Sequence, residues 1–150
     1  MAQSLMDIVV HIVFSTKGRR PWIFPEIESE FYAYIGGICR NLHCPTILLN
    51  GTTDHIHVLL LLSSTISVSD LICKMKSNSS IWIKSKGSKF EDFSWQKGYG
   101  AFSVSRNRIY GAVKYIQNQK EHHRVITFQE EMIAMLKLVQ VPYDEKYLWN

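Results

Sequence analysis

The chain has 150 residues, 46% of them hydrophobic and 20% charged, with 17 basic against 13 acidic side chains and a formal net charge of +4. That length fits one domain, residues 1–150, with a real core, and the composition excludes a disordered protein. The longest apolar runs, "IVVHIVF" and "IHVLLLL", are far too short to span a bilayer, so no membrane partner is expected. Asp7 and His11 break the N-terminal apolar run before it resembles a signal peptide, and a cytoplasmic protein is the expectation. Cys39, Cys44 and Cys73 are odd in number and lack paired spacing, which reads as idle thiols in a reducing compartment.

Residues 6–15, "MDIVVHIVFS", are rich in Val and Ile and read as a central strand. After the "TKGRRP" loop, Ile27, Phe31, Tyr34, Ile35, Ile38 and Leu42 recur at helical spacing from Pro25 onward. Pro25 suits a first helical turn, and the acids at 26, 28 and 30 complement its positive end. "PTILLNG" and "HIHVLLLL" then read as two strands close enough to form an antiparallel hairpin. Ser67 and Asp70 form a cap signal for a helix running to about Lys84. Short extended pieces around "FSWQKGYGAFSVS" follow, then a helix from Arg106 to His122 and another from Thr127 to Val139. This order predicts an α+β, ferredoxin-like (RRM-like) antiparallel sheet with helices on one face, the other face free, and further helices after it.

Strand alternation places His55 and His57 on the same face, with Cα atoms ~6.6 Å apart. Histidines are costly in an apolar strand unless both ring nitrogens find partners, so the pair reads either as two satisfied core histidines or as two ligands of one ion. Tyr115 and Gln119, four apart, share a helical face, whereas Tyr110 is turned away and should serve packing. His122 and His123, beyond Gln119, are alternative ligands, but an exposed, charged helix end is the better reading. The stretches "STKGRR" and "KMKSNSSIWIKSKGSK" hold eight basic residues and no acid, which suits a polyanionic partner. Lys17, Arg19, Arg20, Lys74 and Lys76 are candidates for phosphate contacts, and Trp95 is weighed between core packing and stacking on an unpaired base.

Taken together, "HIVFSTKGRRP", "DHIHVLL", "WQKGYGAFSVS" and "YIQNQ" resemble the single-tyrosine HUH transposases, which move bacterial insertion sequences as single-stranded DNA. The resemblance spans the first strand through the third helix. It implies that His55, His57 and Gln119 hold a divalent metal, Mg2+ or Mn2+, and that Tyr115 is the nucleophile on a C-terminal catalytic helix. It further implies single-stranded DNA with a hairpin at element ends as substrate, and a homodimer with composite active sites. The chemistry is coherent in its own right. A divalent ion stabilises charge on a scissile phosphate, and a tyrosine attack conserves the bond energy for rejoining. The alternative is a non-catalytic or domesticated single-stranded nucleic-acid-binding protein on the same fold, for which the four site residues would have no purpose.

Overall fold

A computed structural model describes residues 2–150. Four strands, β1 (Val9–Ser15), β2 (Thr46–Gly51), β3 (His55–Leu61) and β4 (Gly100–Val104), form one sheet in the order β2-β3-β1-β4. Every pairing is antiparallel. Two long helices, α1 (Pro25–Asn41) and α2 (Val68–Lys84), interleave with them, so the expected ferredoxin-like α+β class is the observed one. Ser67 Oγ accepts from the Asp70 amide at 3.0 Å and starts α2 where the cap signal placed it. Among the described residues no helix is long and apolar enough to cross a membrane.

Alternation sorts the central strands. Ile12, Phe14, Ile56, Val58 and Leu60 face α1 and α2 and pack with Phe31, Ile35, Leu71 and Met75 in the main core. The opposite set, including Val9, Val13 and Leu59, faces the C-terminal third of the chain. That face is not free, as the sequence suggested. It is covered by α3 (Ile109–Gln117), α4 (Gln119–His122) and α5 (Phe128–Leu138), which bring Ile116 onto Val9 and Leu59, and Phe128, Met132 and Leu136 onto Val13. A short α6 (Glu145–Leu148) adds Leu148 and Trp149 to the second cluster.

The helix expected over Arg106–His122 is broken. A 3-10 turn occupies Arg106–Arg108, and α3 and α4 are separated at Asn118, whose φ of −93° and ψ of 16° leave the helical region. The reason lies on β2. Asn50 Nδ2 donates to the carbonyls of Ile116 at 2.9 Å and Gln117 at 3.4 Å, drawing the last turn of α3 toward the sheet edge. Neither carbonyl is legible as special in the sequence, because the competing donor sits in a distant strand.

Candidate active site

β3 opens at His55 because the hairpin closes tightly before it. A side chain at Gly51 would bring its Cβ to 2.1 Å from the His55 carbonyl oxygen, so only glycine permits this turn. His55 and His57 are both fully buried on the sheet face that carries the C-terminal helices. Their rings lie 5.3 Å apart, compatible with one shared ion. His55 Nδ1 is 2.7 Å from Asp54 Oδ1 and 3.0 Å from Thr52 Oγ1, which fixes the ring. On the neighbouring strand β1, His11 brings Nε2 to 2.7 Å from His57 Nδ1. His11 thus orients His57 across the diagonal of the two strands.

Gln119 is buried, and its Oε1 lies 3.1 Å from His55 Nε2. The Tyr115 ring stands edge-on to His57 at 5.8 Å between centroids. The four residues singled out in the sequence therefore meet within one chain, and the tyrosine faces its own chain's histidines. Tyr110, by contrast, is 73% exposed with Lys114 over its ring, so it does not serve packing.

Glu131, on α5, stands at the centre of this cluster and was not anticipated. It is 1% exposed. Its Oε1 lies 3.0 Å from His57 Nε2 and 3.1 Å from His123 Nε2, and its Oε2 accepts from Gln119 Nε2 at 3.0 Å and from the Tyr115 hydroxyl. His123 is also part of the cluster rather than an exposed helix end. Its ring lies 4.4 Å from that of His55, and its Nδ1 is 2.9 Å from the Ile126 carbonyl. His122 stands 5.4 Å from the Tyr115 ring. The HH pair after "YIQNQ" was the available sequence signal for His123. A glutamate within an ordinary amphipathic helix offered none for Glu131.

The electrostatics follow from burial against pairing. Burial pushes the Glu131 carboxyl up, but the close approach of His123 and His57 and the Tyr115 hydroxyl outweigh it and hold it well below the usual carboxylate range. Burial and then the Glu131 contact raise the Tyr115 phenol, so it is protonated at rest. Burial, reinforced by His57, lowers His11 to about 3 and keeps it neutral. Burial likewise lowers His57 despite its contact with Glu131. Ligand atoms of His55, His57, His123 and Glu131 all lie within 4.8 Å of one another, a set that could hold a metal ion.

Two openings flank the cluster. One, of about 350 Å³, is lined by His11, Ala112, Tyr115, His122 and Glu131. The other, of about 710 Å³, is bordered by Arg19, Lys120, Arg124 and His123 together with Glu28 and Asp54, with Lys120 paired to Glu28 at 2.7 Å and Arg124 to Glu121 at 2.8 Å. Lys17, Arg19 and Arg20 lie in the turn after β1, with Arg20 over the Trp22 ring at 4.4 Å. Lys74 is exposed on α2, on the far side of the sheet from the histidines. Lys76 is engaged elsewhere, donating to the carbonyls of Gln96, Lys97 and Gly98 at 2.9, 3.2 and 2.7 Å. Trp95 is a core residue, 7% exposed, stacked on Phe31 and donating to Ser79 Oγ at 3.0 Å. It has no face to offer a base, and packing is the reading that stands.

A βαββαβ sheet with a buried polar cluster that could hold a metal ion, under a C-terminal helical cover, defines an α+β protein of the ferredoxin-like class. Residues 4–119 match the family described as "Transposase IS200 like", and this chain belongs to that family. Among solved structures, it is similar to a protein of Deinococcus radiodurans R1 described as a transposase, at 20% identity and a TM-score of 0.62, over 79% of this chain and 98% of that one. It is also similar to a REP-associated tyrosine transposase bound to a REP hairpin, at 13% identity and a TM-score of 0.61, over 82% of this chain and 73% of that one. No curated protein matches it in sequence.

Proposed function

We propose that this transposase cuts and rejoins single-stranded DNA through a covalent link to Tyr115, using a divalent ion, Mg2+ or Mn2+, held by His55, His57 and Gln119. One observation carries the reading: the Tyr115 hydroxyl is bonded to the same carboxylate that touches His57, which sets the phenol beside the two histidines and the glutamine. The donor set fits such an ion, because His55 Nε2 and Gln119 Oε1 face each other at 3.1 Å deep in the fold. When bound, the ion supplies positive charge that polarises the scissile phosphate.

The residues of the chain do the rest. Asp54 and His11 hold the two imidazoles in orientation, and α5 packs over the sheet beside them. Tyr115 attacks phosphorus, a bond from its oxygen to the 5′-phosphate forms, and the bond to the 3′-oxygen breaks. The phenol proton is already directed at Glu131 Oε2, and the departing 3′-oxygen takes up a proton to leave as a hydroxyl. The phosphotyrosine retains the energy of the broken bond, so a second 3′-hydroxyl can reverse the step without ATP.

The DNA we infer is unpaired strand beside a hairpin at the element's ends. The REP hairpin named with one structural neighbour supports this, as does Arg19 on the border of the larger opening. Arg19 borders that opening, and Lys17 and Arg20 flank it in the same turn. A homodimer that exchanges its tyrosine helices would require α3 and α4 to leave their own histidines. A purely binding protein has no use for a buried tyrosine–carboxylate–histidine cluster, which disfavours the non-catalytic alternative.

The test is a denaturing gel of labelled single-stranded substrate carrying an element end. Wild type with Mg2+ or Mn2+ should form a covalent protein–DNA adduct, chelation should abolish it, and Tyr115→Phe should lose it while still binding DNA. An adduct that persists in Tyr115→Phe would remove the nucleophile assignment.

A further inference from the structure

Resting on the reading that this site holds a divalent ion, we propose that Glu131 and His123 are direct ligands of that ion, joining His55 and His57. The ligand set then carries one negative charge and is anchored to α5.

The protons decide it. Asp54 Oδ1 lies 2.7 Å from His55 Nδ1, so the ring carries its hydrogen there and turns a bare Nε2 inward. The Ile126 carbonyl can only accept, so His123 Nδ1, 2.9 Å away, also carries its hydrogen on the outer side. His123 Nε2 is buried without a hydrogen-bond partner, on a side chain only 9% exposed. It lies 3.1 Å from Glu131 Oε1. Gln119 spends its amide hydrogens on Glu131 Oε2 at 3.0 Å, leaving its own oxygen toward His55 Nε2. Glu131 Oε1 is 3.6 Å from that same nitrogen.

His55 Nε2, His123 Nε2, the Gln119 side-chain oxygen and Glu131 Oε1 thus converge on one buried spot. Such a convergence is costly in a low-dielectric interior unless a cation occupies it. An outer carboxylate on a ligating histidine, here Asp54 on His55, is also the usual orientation of a metal centre. Glu131 divides its two oxygens between tasks: Oε1 faces the imidazoles, Oε2 holds Gln119 and Tyr115. A carboxylate oxygen adds a hard, charged donor to a set that would otherwise be neutral, and this favours Mg2+ or Mn2+ over softer ions. It also couples the ion to the tyrosine through one side chain.

The experiment is Mn2+ binding to the full chain by titration calorimetry, with wild type, Glu131→Gln, Glu131→Asp and His57→Ala compared. Glu131→Gln should weaken Mn2+ by at least about tenfold, with Glu131→Asp recovering part of the loss. Pulsed electron paramagnetic resonance on wild type loaded with Mn2+ should count three imidazole nitrogens, from His55, His57 and His123. That count needs no variant to fold. Unchanged affinity in Glu131→Gln together with two coupled imidazoles would overturn the proposal while His57→Ala, losing the ion, kept the His55–His57 centre intact. A wild type that binds no divalent ion would overturn both.

Discussion

His11 shows how a residue without an obvious role in the sequence becomes part of the site. It pairs across the sheet with Leu59, yet its ring reaches diagonally to His57, 2.7 Å away. Burial, aided by His57, holds its pKa at about 3 against an ordinary 6.5. The unfolded chain therefore takes up a proton on this histidine before the folded one does. The stability from keeping His11 neutral is fully present above about pH 6.5 and is lost as pH falls from there toward 3. In chelator, urea unfolding between pH 6.5 and 5, above the range where carboxylates protonate, should show falling stability in wild type. His11→Gln should flatten that slope, and an unchanged slope would remove His11 as its source.

At the scale of elements, α5 is the piece that closes the site, and its start is set locally. Thr127 Oγ1 accepts from the Glu130 amide at 3.1 Å, which satisfies one of the helix's unpaired donors and sets the phase that turns Glu131 and Met132 inward. Thr127→Ala should cost about 1 kcal/mol, a fall in Tm of roughly 2–4 °C for a chain of this size, read by circular dichroism. A Tm equal to that of wild type would show that α5 melts apart from the rest of the fold. The α3–α4 break has the opposite origin. It depends on Asn50 of β2 taking two carbonyls from the end of α3, and nothing within residues 106–122 announces it.

Over the whole molecule, the net charge of +4 is modest, and its placement decides what it can do. Arg19, Lys120 and Arg124 border the opening next to His123, and Lys17 and Arg20 flank it in the turn after β1. Lys74 lies across the sheet, and Lys76 is bound to backbone carbonyls. An opening of about 710 Å³ beside a covered sheet suits a flexible strand better than a rigid duplex. In gel shifts, hairpin-flanked single strand should bind more tightly than matched duplex, with affinity falling as salt rises. Arg19→Ala should weaken binding and reduce the salt slope more than Lys74→Ala does. Tighter binding to plain duplex, or equal effects of the two substitutions, would contradict this placement.

Local pattern alone was enough for the central strands and the first long helix, because the continuous apolar runs "IVVHIVF" and "IHVLLLL" and the stripe from Ile27 to Leu42 report burial directly. The spacing of His55 with His57 and of Tyr115 with Gln119 sufficed to put each pair on one face, since both follow from local backbone geometry. Their meeting did not follow from spacing; it was reached through the family resemblance, and the fold brings them into contact. Glu131 became visible only in three dimensions, and only the fold put His123 in the cluster and not at an exposed helix end. A glutamate on an amphipathic helix and a histidine near a helix end are ordinary until the chain folds α5 back over β3. The same holds for Trp95, where a Trp among basic stretches suits DNA as well as it suits a core. Burial beside Phe31 and Phe14 is a property of distant residues, and no local pattern encodes it.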